Sequence, residues 1–155
     1  MKQYLLDYFA YNDWANKKIL QAILLLPEKD GALYLFSHLI YAQDKWFNRV
    51  TKQQNDNDLA WYGAAFDEQE IEDRWNKSYV QWSLLLNNPD TETDEYVVFN
   101  RKADGALMRV KLKDIIFQLN CHAVHHRAQI NKLISSQGVA VPATDYIFTA
   151  ISEVK

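Results

Sequence analysis

The sequence predicts an all-α protein: a bundle of four long helices, with a small β-hairpin before the last of them and a short helix near the C-terminus. Three observations carry that expectation. Four long segments repeat their apolar residues with the period of an amphipathic helix. Two short β-prone runs flank an Asp-Gly pair, and the breaks between segments fall at Pro27, an Asn/Asp-rich stretch, Pro89 and Gly138, all of them helix-ending or turn-forming residues. At 155 residues the chain reads as one domain, 1–155, large enough to bury a core without disulfides or a structural metal.

The first helix is expected over about Lys2 to Leu26, where Leu5, Phe9, Ile19 and Ile23 share a face and Pro27 follows. A second helix covers about Gly31 to Lys52, its apolar face built from Leu35, Leu39, Ala42, Trp46 and Val50. Residues 53–63 are polar and read as a loop. Asp67 with Glu70 has the spacing of a capping box for a third helix that reaches about Asn87 and is ended by Asn88-Pro89. Tyr96–Phe99 and Ala106–Val110 form the expected hairpin, turned at Asp104-Gly105. The fourth helix runs from about Leu112 to Gln137 and stops at Gly138. After Pro142, Thr144-Asp145-Tyr146 opens the short terminal helix.

Composition narrows the function classes. A formal charge of -3 leaves no basic footprint for nucleic acid. No apolar run approaches the roughly 18 residues of a membrane span. Asp7, Asn12 and Asp13 interrupt any signal-peptide core, and the one cysteine, Cys121, forms no internal disulfide, so a cytoplasmic location is expected. Five tryptophans, nine tyrosines and seven phenylalanines suit thick layers between helices or the wall of an apolar pocket.

Three of the four histidines lie in Asn120-Cys121-His122-Ala123-Val124-His125-His126-Arg127-Ala128-Gln129. On a helix, His122 and His126 stand one turn apart on one face, a spacing that lets two imidazoles grip one ion. Residues placed at about 100° steps put His126 about 30° and His122 about 70° from the centre of the apolar stripe of helix four. His125 falls about 130° away and is the odd member. Gln129 is close to His122 in angle. Cys121 points almost directly away from the stripe, a poor position for a nucleophile or ligand beside these histidines, and is read as a small packing residue, while His125 and Arg127 read as solvent-facing or structural. On helix two, His38 flanks the apolar face on the side shared with Ala42, Lys45 and Arg49, and is either a hydrogen-bonded core histidine or a third ligand. Asn12 and Asn16 interrupt the apolar stripe of helix one, where buried amides need partners. A common polar cavity fed by three helices accounts for all of these.

At these residues the chain resembles the DinB-like superfamily, which includes the YfiT-type metal-dependent hydrolases. The resemblance rests on Tyr11-Asn12-Asp13-Trp14-Ala15-Asn16, on His38 with Trp46 eight residues later, and on His122-x-x-His125-His126-Arg127-Ala128-Gln129, elements that span nearly the whole chain. It implies a four-helix bundle in which His38, His122 and His126 bind a divalent metal while His125 is the intervening non-ligand. It also implies a homodimer. Ala128 stands where many members have Gly, and Gln43 and Asp44 stand where many have an acidic residue after the helix-two histidine.

Three neutral imidazoles leave a divalent ion with an open position, the mark of a catalytic site over a structural one. A water there falls to a pKa of about 7, and a thiol is deprotonated outright. The expected function is therefore a divalent-metal-dependent enzyme acting on a small molecule, by amide or ester hydrolysis or by transfer of a low-molecular-weight thiol. Zinc is the expected ion, with nickel or iron as alternatives, and Asn12, Asn16 and Gln129 are candidates for the pocket or for support of the ligands. The competing reading is a catalytically silent dimeric bundle that binds a metal or small ligand. A di-iron carboxylate bundle is disfavoured because the Glu-x-x-His pairs it needs are missing from the sequence.

Overall fold

The computed structural model describes residues 1–53 and 56–153. Four long helices, α1 (Lys2–Leu24), α2 (Asp30–Thr51), α3 (Ile71–Asn87) and α4 (Leu112–Ser136), make the bundle. The antiparallel strands β1 (Tyr96–Asn100) and β2 (Leu107–Lys111) precede α4, and a single turn, α5 (Ile147–Ala150), lies near the C-terminus. No helix among the described residues is long and apolar enough to cross a membrane.

Local chemistry explains the ends. α1 stops at Leu24, two residues before the sequence-based boundary, because Pro27 has no N–H to continue the ladder and Leu25 and Leu26 close on Ala22 and Ile23 by tighter bonds. α4 ends in a Schellman motif: Gly138 takes φ +76°, its N–H reaches the Ser135 carbonyl, and that of Val139 reaches Ile134. The expected capping box is only half formed. The Asp67 carboxylate accepts from the N–H groups of Gln69 and Glu70, both at 3.0 Å, but the Glu70 carboxylate turns forward to Arg74 at 2.9 Å, so no reciprocal arm exists. The hairpin loop is also longer than a tight Asp-Gly turn. Arg101 and Ala106 still pair beyond the strands, and Gly105, at φ +70°, supplies the left-handed residue that closes the loop.

The buried apolar residues fall into two clusters. One holds Ile19, Ile23, Phe36, Ile40, Trp75 and Ile134; the other holds Phe9, Trp82, Leu86, Leu112, Ile116 and Leu119. Following each helix from one cluster to the other shows that α1 and α4 run one way and α2 and α3 the opposite way. The chain after α2 must therefore return along the bundle before α3 starts, which is why a long connection lies there. That return path carries residues 56–66 past the middle of α2. Between the apolar clusters the bundle buries Asn12, Asn16, His38, Asn120, His126 and Arg127. Every functional candidate in the sequence falls in or beside this polar middle layer.

Candidate metal centre

α2 contributes His38, only 3% exposed, and α4 contributes His122 and His126 from successive turns. Their candidate ligand nitrogens all lie within 4.8 Å of one another. The rings stand edge to face, with centroids 4.9, 4.8 and 4.5 Å apart and interplanar angles of 67°, 77° and 74°, so they surround a common point.

The remote nitrogens decide what the near ones offer. His38 Nδ1 lies 2.7 Å from the Trp61 carbonyl and His126 Nδ1 lies 2.8 Å from Gln129 Oε1. A carbonyl oxygen only accepts, so each Nδ1 carries the proton and each Nε2 keeps its lone pair. This is the support that metal-binding imidazoles ordinarily have. His38 is further fixed by Tyr62, stacked 3.9 Å away at 4°. Nε2 of His122 and Nε2 of His38 are 2.9 Å apart. Since Nδ1 carries the His38 proton and its Nε2 is bare, His122 Nε2–H is the donor in this contact. The donor set therefore fits a divalent ion: three imidazole nitrogens, two of them held in the ligating tautomer by their surroundings.

Beside His122 a cavity of about 160 Å³ is lined by Ala42, Trp46, Trp61, Gln118 and Leu119. Trp46 and Trp61 meet edge to face at 5.9 Å and form its wall. Among the described residues no carboxylate or thiolate joins the three histidines.

A model of the DinB family matches residues 1–154. The chain belongs to the DinB family. Comparison with curated proteins and with solved structures finds no significant match.

Within this DinB bundle the polar residues singled out in the sequence sort into two groups. Gln129 joins the histidines, and its amide nitrogen lies 3.1 Å from the exposed His125. Asn12 and Asn16 instead serve Arg127, whose Nη1 donates to Asn12 Oδ1 at 2.9 Å and Asn16 Oδ1 at 3.2 Å, and whose Nη2 donates to the Tyr11 hydroxyl at 3.0 Å. Asn16 also donates to Asn12 at 3.0 Å, and Tyr11 donates to the Thr144 carbonyl at 2.9 Å. The Tyr11–Asn16 segment is thus a cradle for a buried guanidinium. Cys121 is exposed on the outer side of α4, so it is not the packing residue expected from the sequence. Asp44 turns toward α3, lining a cleft with Arg74, Lys77 and Ser78, where burial raises its pKa. Gln43 is buried, and its backbone carbonyl accepts from Trp82 Nε1 at 3.2 Å.

Sequence reasoning missed the Trp61 carbonyl, the Tyr62 stack and the guanidinium cradle. The first is a backbone group on a loop and leaves no mark in residue type. The third had a signal, two amides in an apolar stripe, but not its address.

Burial lowers the pKa of all three imidazoles, and that of His122 falls from 6.5 to about 4 because His126, His38 and His125 add repulsion to its desolvation. All three are neutral at pH 7. Their depressed values also mean that below about pH 6.5 the unfolded chain takes up protons which the folded chain refuses. Stability of the metal-free protein is therefore expected to be full above pH 6.5 and to fall as pH drops toward 4. Urea midpoints across that range check this, and a midpoint that stayed flat or rose on acidification would contradict it.

Proposed function

We propose that this protein is a divalent-metal-dependent enzyme in which His38, His122 and His126 hold the ion and the adjoining cavity receives a small substrate. The single observation that carries the reading is the convergence of three imidazoles beside an aromatic cavity, two of them with the ligating tautomer fixed from behind. Zinc is the proposed ion, with nickel and iron(II) as alternatives. A bound divalent cation would supply the positive charge that favours the ionised form of a water or thiol at neutral pH.

The residues around the histidines weigh against amide hydrolysis, which leaves ester hydrolysis and thiol transfer, and of these we propose thiol transfer. Cleavage of an amide needs a group that hands a proton to the leaving nitrogen, and among the described residues no carboxylate stands with the imidazoles. Attack by a thiolate on an electrophile that carries a good leaving group needs no such donor. Trp46, Trp61 and Leu119 exclude water from the apolar part of the substrate, and the Gln118 amide can hydrogen-bond its polar end. A single exposed cysteine fits a reducing compartment, where low-molecular-weight thiols stay reduced.

Elemental analysis of protein purified without a histidine tag tests the first half, with one equivalent of metal per chain expected. A screen of small thiols with a generic electrophile, run beside simple esters and amides, tests the second. Thiol-dependent turnover that a chelator abolishes is the expected result. Ester or amide turnover without thiol would replace the thiol reading with hydrolysis, and metal without any turnover would sink the enzyme reading.

A further inference from the structure

Lys45 is 1% exposed and lies two turns after His38 on the same side of α2. Its ammonium has three N–H donors, and each has a partner. It donates to the Asp56 carbonyl at 2.5 Å and the Leu59 carbonyl at 2.6 Å, and it pairs with the Asp56 carboxylate at 3.4 Å. One turn further, Arg49 clasps the same carboxylate through Nε at 3.0 Å and Nη2 at 3.1 Å. The Arg49 guanidinium lies over Phe99, Trp46 and Trp61, at 4.1, 4.7 and 5.0 Å from the ring centroids. The segment that α2 captures in this way is the one that ends in Trp61, whose carbonyl meets His38 Nδ1. Neither cation touches the histidines in the described bonds, and neither has a place in the function proposed above.

We propose that Lys45 is a positioning residue for the metal centre: by closing residues 56–59 onto α2 it aims the Trp61 carbonyl at His38 and so fixes which nitrogen of His38 faces the ion. The inference deepens the metal-centre reading and rests on it for its biological meaning. Two backbone carbonyls tied to one buried ammonium allow little freedom to residues 60 and 61. Without that tie, the carbonyl of Trp61 is no longer held at hydrogen-bond distance, and the imidazole of His38 can place its proton on either nitrogen. A histidine with its proton on Nε2 presents no lone pair to the ion, so the site loses a ligand for part of the time. Asp56 belongs to the same device, since its carboxylate joins Lys45 to Arg49.

The test compares Lys45→Met and Asp56→Asn with the unaltered protein, using Leu86→Ala as a destabilised control in the far apolar cluster. The primary measurement is nitrogen-15 NMR of the imidazole side chains in metal-free protein, which reads the His38 tautomer directly. The unaltered protein and Leu86→Ala are expected to hold the proton on Nδ1, whereas the two clamp variants show a mixture. Cobalt(II) titration is then expected to give a 10–100-fold weaker affinity and an altered visible spectrum in the clamp variants, and neither change in the control. Asp56→Asn carries the comparison alone if Lys45→Met does not fold. An unchanged His38 tautomer in the clamp variants overturns the proposal, whatever the cobalt affinity. If the unaltered protein takes up no cobalt, the metal-centre reading falls, while the tautomer comparison still decides the role of Lys45.

Discussion

Replacing His122 with alanine is expected to abolish stoichiometric metal uptake and to leave a folded helical protein. The expectation follows from where the side chain sits. His122 is half-buried at the edge of the cavity, and its removal opens space toward an existing hollow instead of emptying a sealed core. A cost of about 1–2 kcal/mol is expected from such a site. The two imidazoles that remain are on different helices. Affinity should fall by more than the roughly 10–100-fold ordinarily lost when only a ligand's outer hydrogen-bond partner is removed. Metal content by elemental analysis and helicity by far-UV circular dichroism read the two halves separately. His125→Ala is the matched comparison, since His125 is exposed and contacts the amide nitrogen of Gln129; it should keep full metal stoichiometry. Equal metal content in the His122→Ala protein would remove the three-histidine centre.

Arg127→Ala is expected to have the opposite signature: a large loss of stability with metal stoichiometry retained. Arg127 is 3% exposed and is held by two amide oxygens and a phenol, with no carboxylate among the bonds and ion pairs of the described residues. Burial lowers its pKa, and Tyr11 acts against that shift. Truncation takes the Arg127 partner from Asn16 Oδ1, takes one of two partners from Asn12 Oδ1 and from the Tyr11 hydroxyl, and leaves a void in the space of the side chain. The cost is estimated at about 3 kcal/mol. For a chain of this length that corresponds to a fall in melting temperature of roughly 6–12 °C. Lysine at the same position keeps the charge but not the planar fork, so it should recover only part of the loss. A melting temperature within a degree or so of the unaltered protein would remove the cradle's role in stability.

The helices and the His122–His126 pair were legible because both depend on period, whereas His38 joined that pair as a ligand only through the family resemblance. Leu112, Ile115, Ile116, Leu119, Ile130 and Ile134 mark the buried side of α4, and the angle from that stripe separates His122 and His126 from His125. The same geometry places His38, Ala42, Lys45 and Arg49 along one side of α2. What period cannot supply is the axial offset between two helices and the path of a loop. Asn12 and Asn16 were visible as amides in an apolar stripe, yet only the packing of α1 against α4 decides that they meet Arg127. The Trp61 carbonyl is further out of reach, since every residue carries one and only the return path after α2 selects this one. Glu70 had the capping-box spacing and went to Arg74, a choice between two nearby partners that a spacing rule leaves open.

The distance along the chain between the two halves of the histidine cluster has a consequence for folding. His122 and His126 are in register as soon as α4 forms, whereas His38 lies 84 residues before His122 and joins them only when α2 docks. A helical fragment offers an ion two ligands; the native chain alone offers three. An ion held by all three therefore binds the folded state in preference to the unfolded one. At a free concentration one hundred times its dissociation constant it would add about 2.7 kcal/mol to stability. Resistance to unfolding would then follow the metal supply, and a starved cell would hold a looser α2–α4 interface as well as an emptier site.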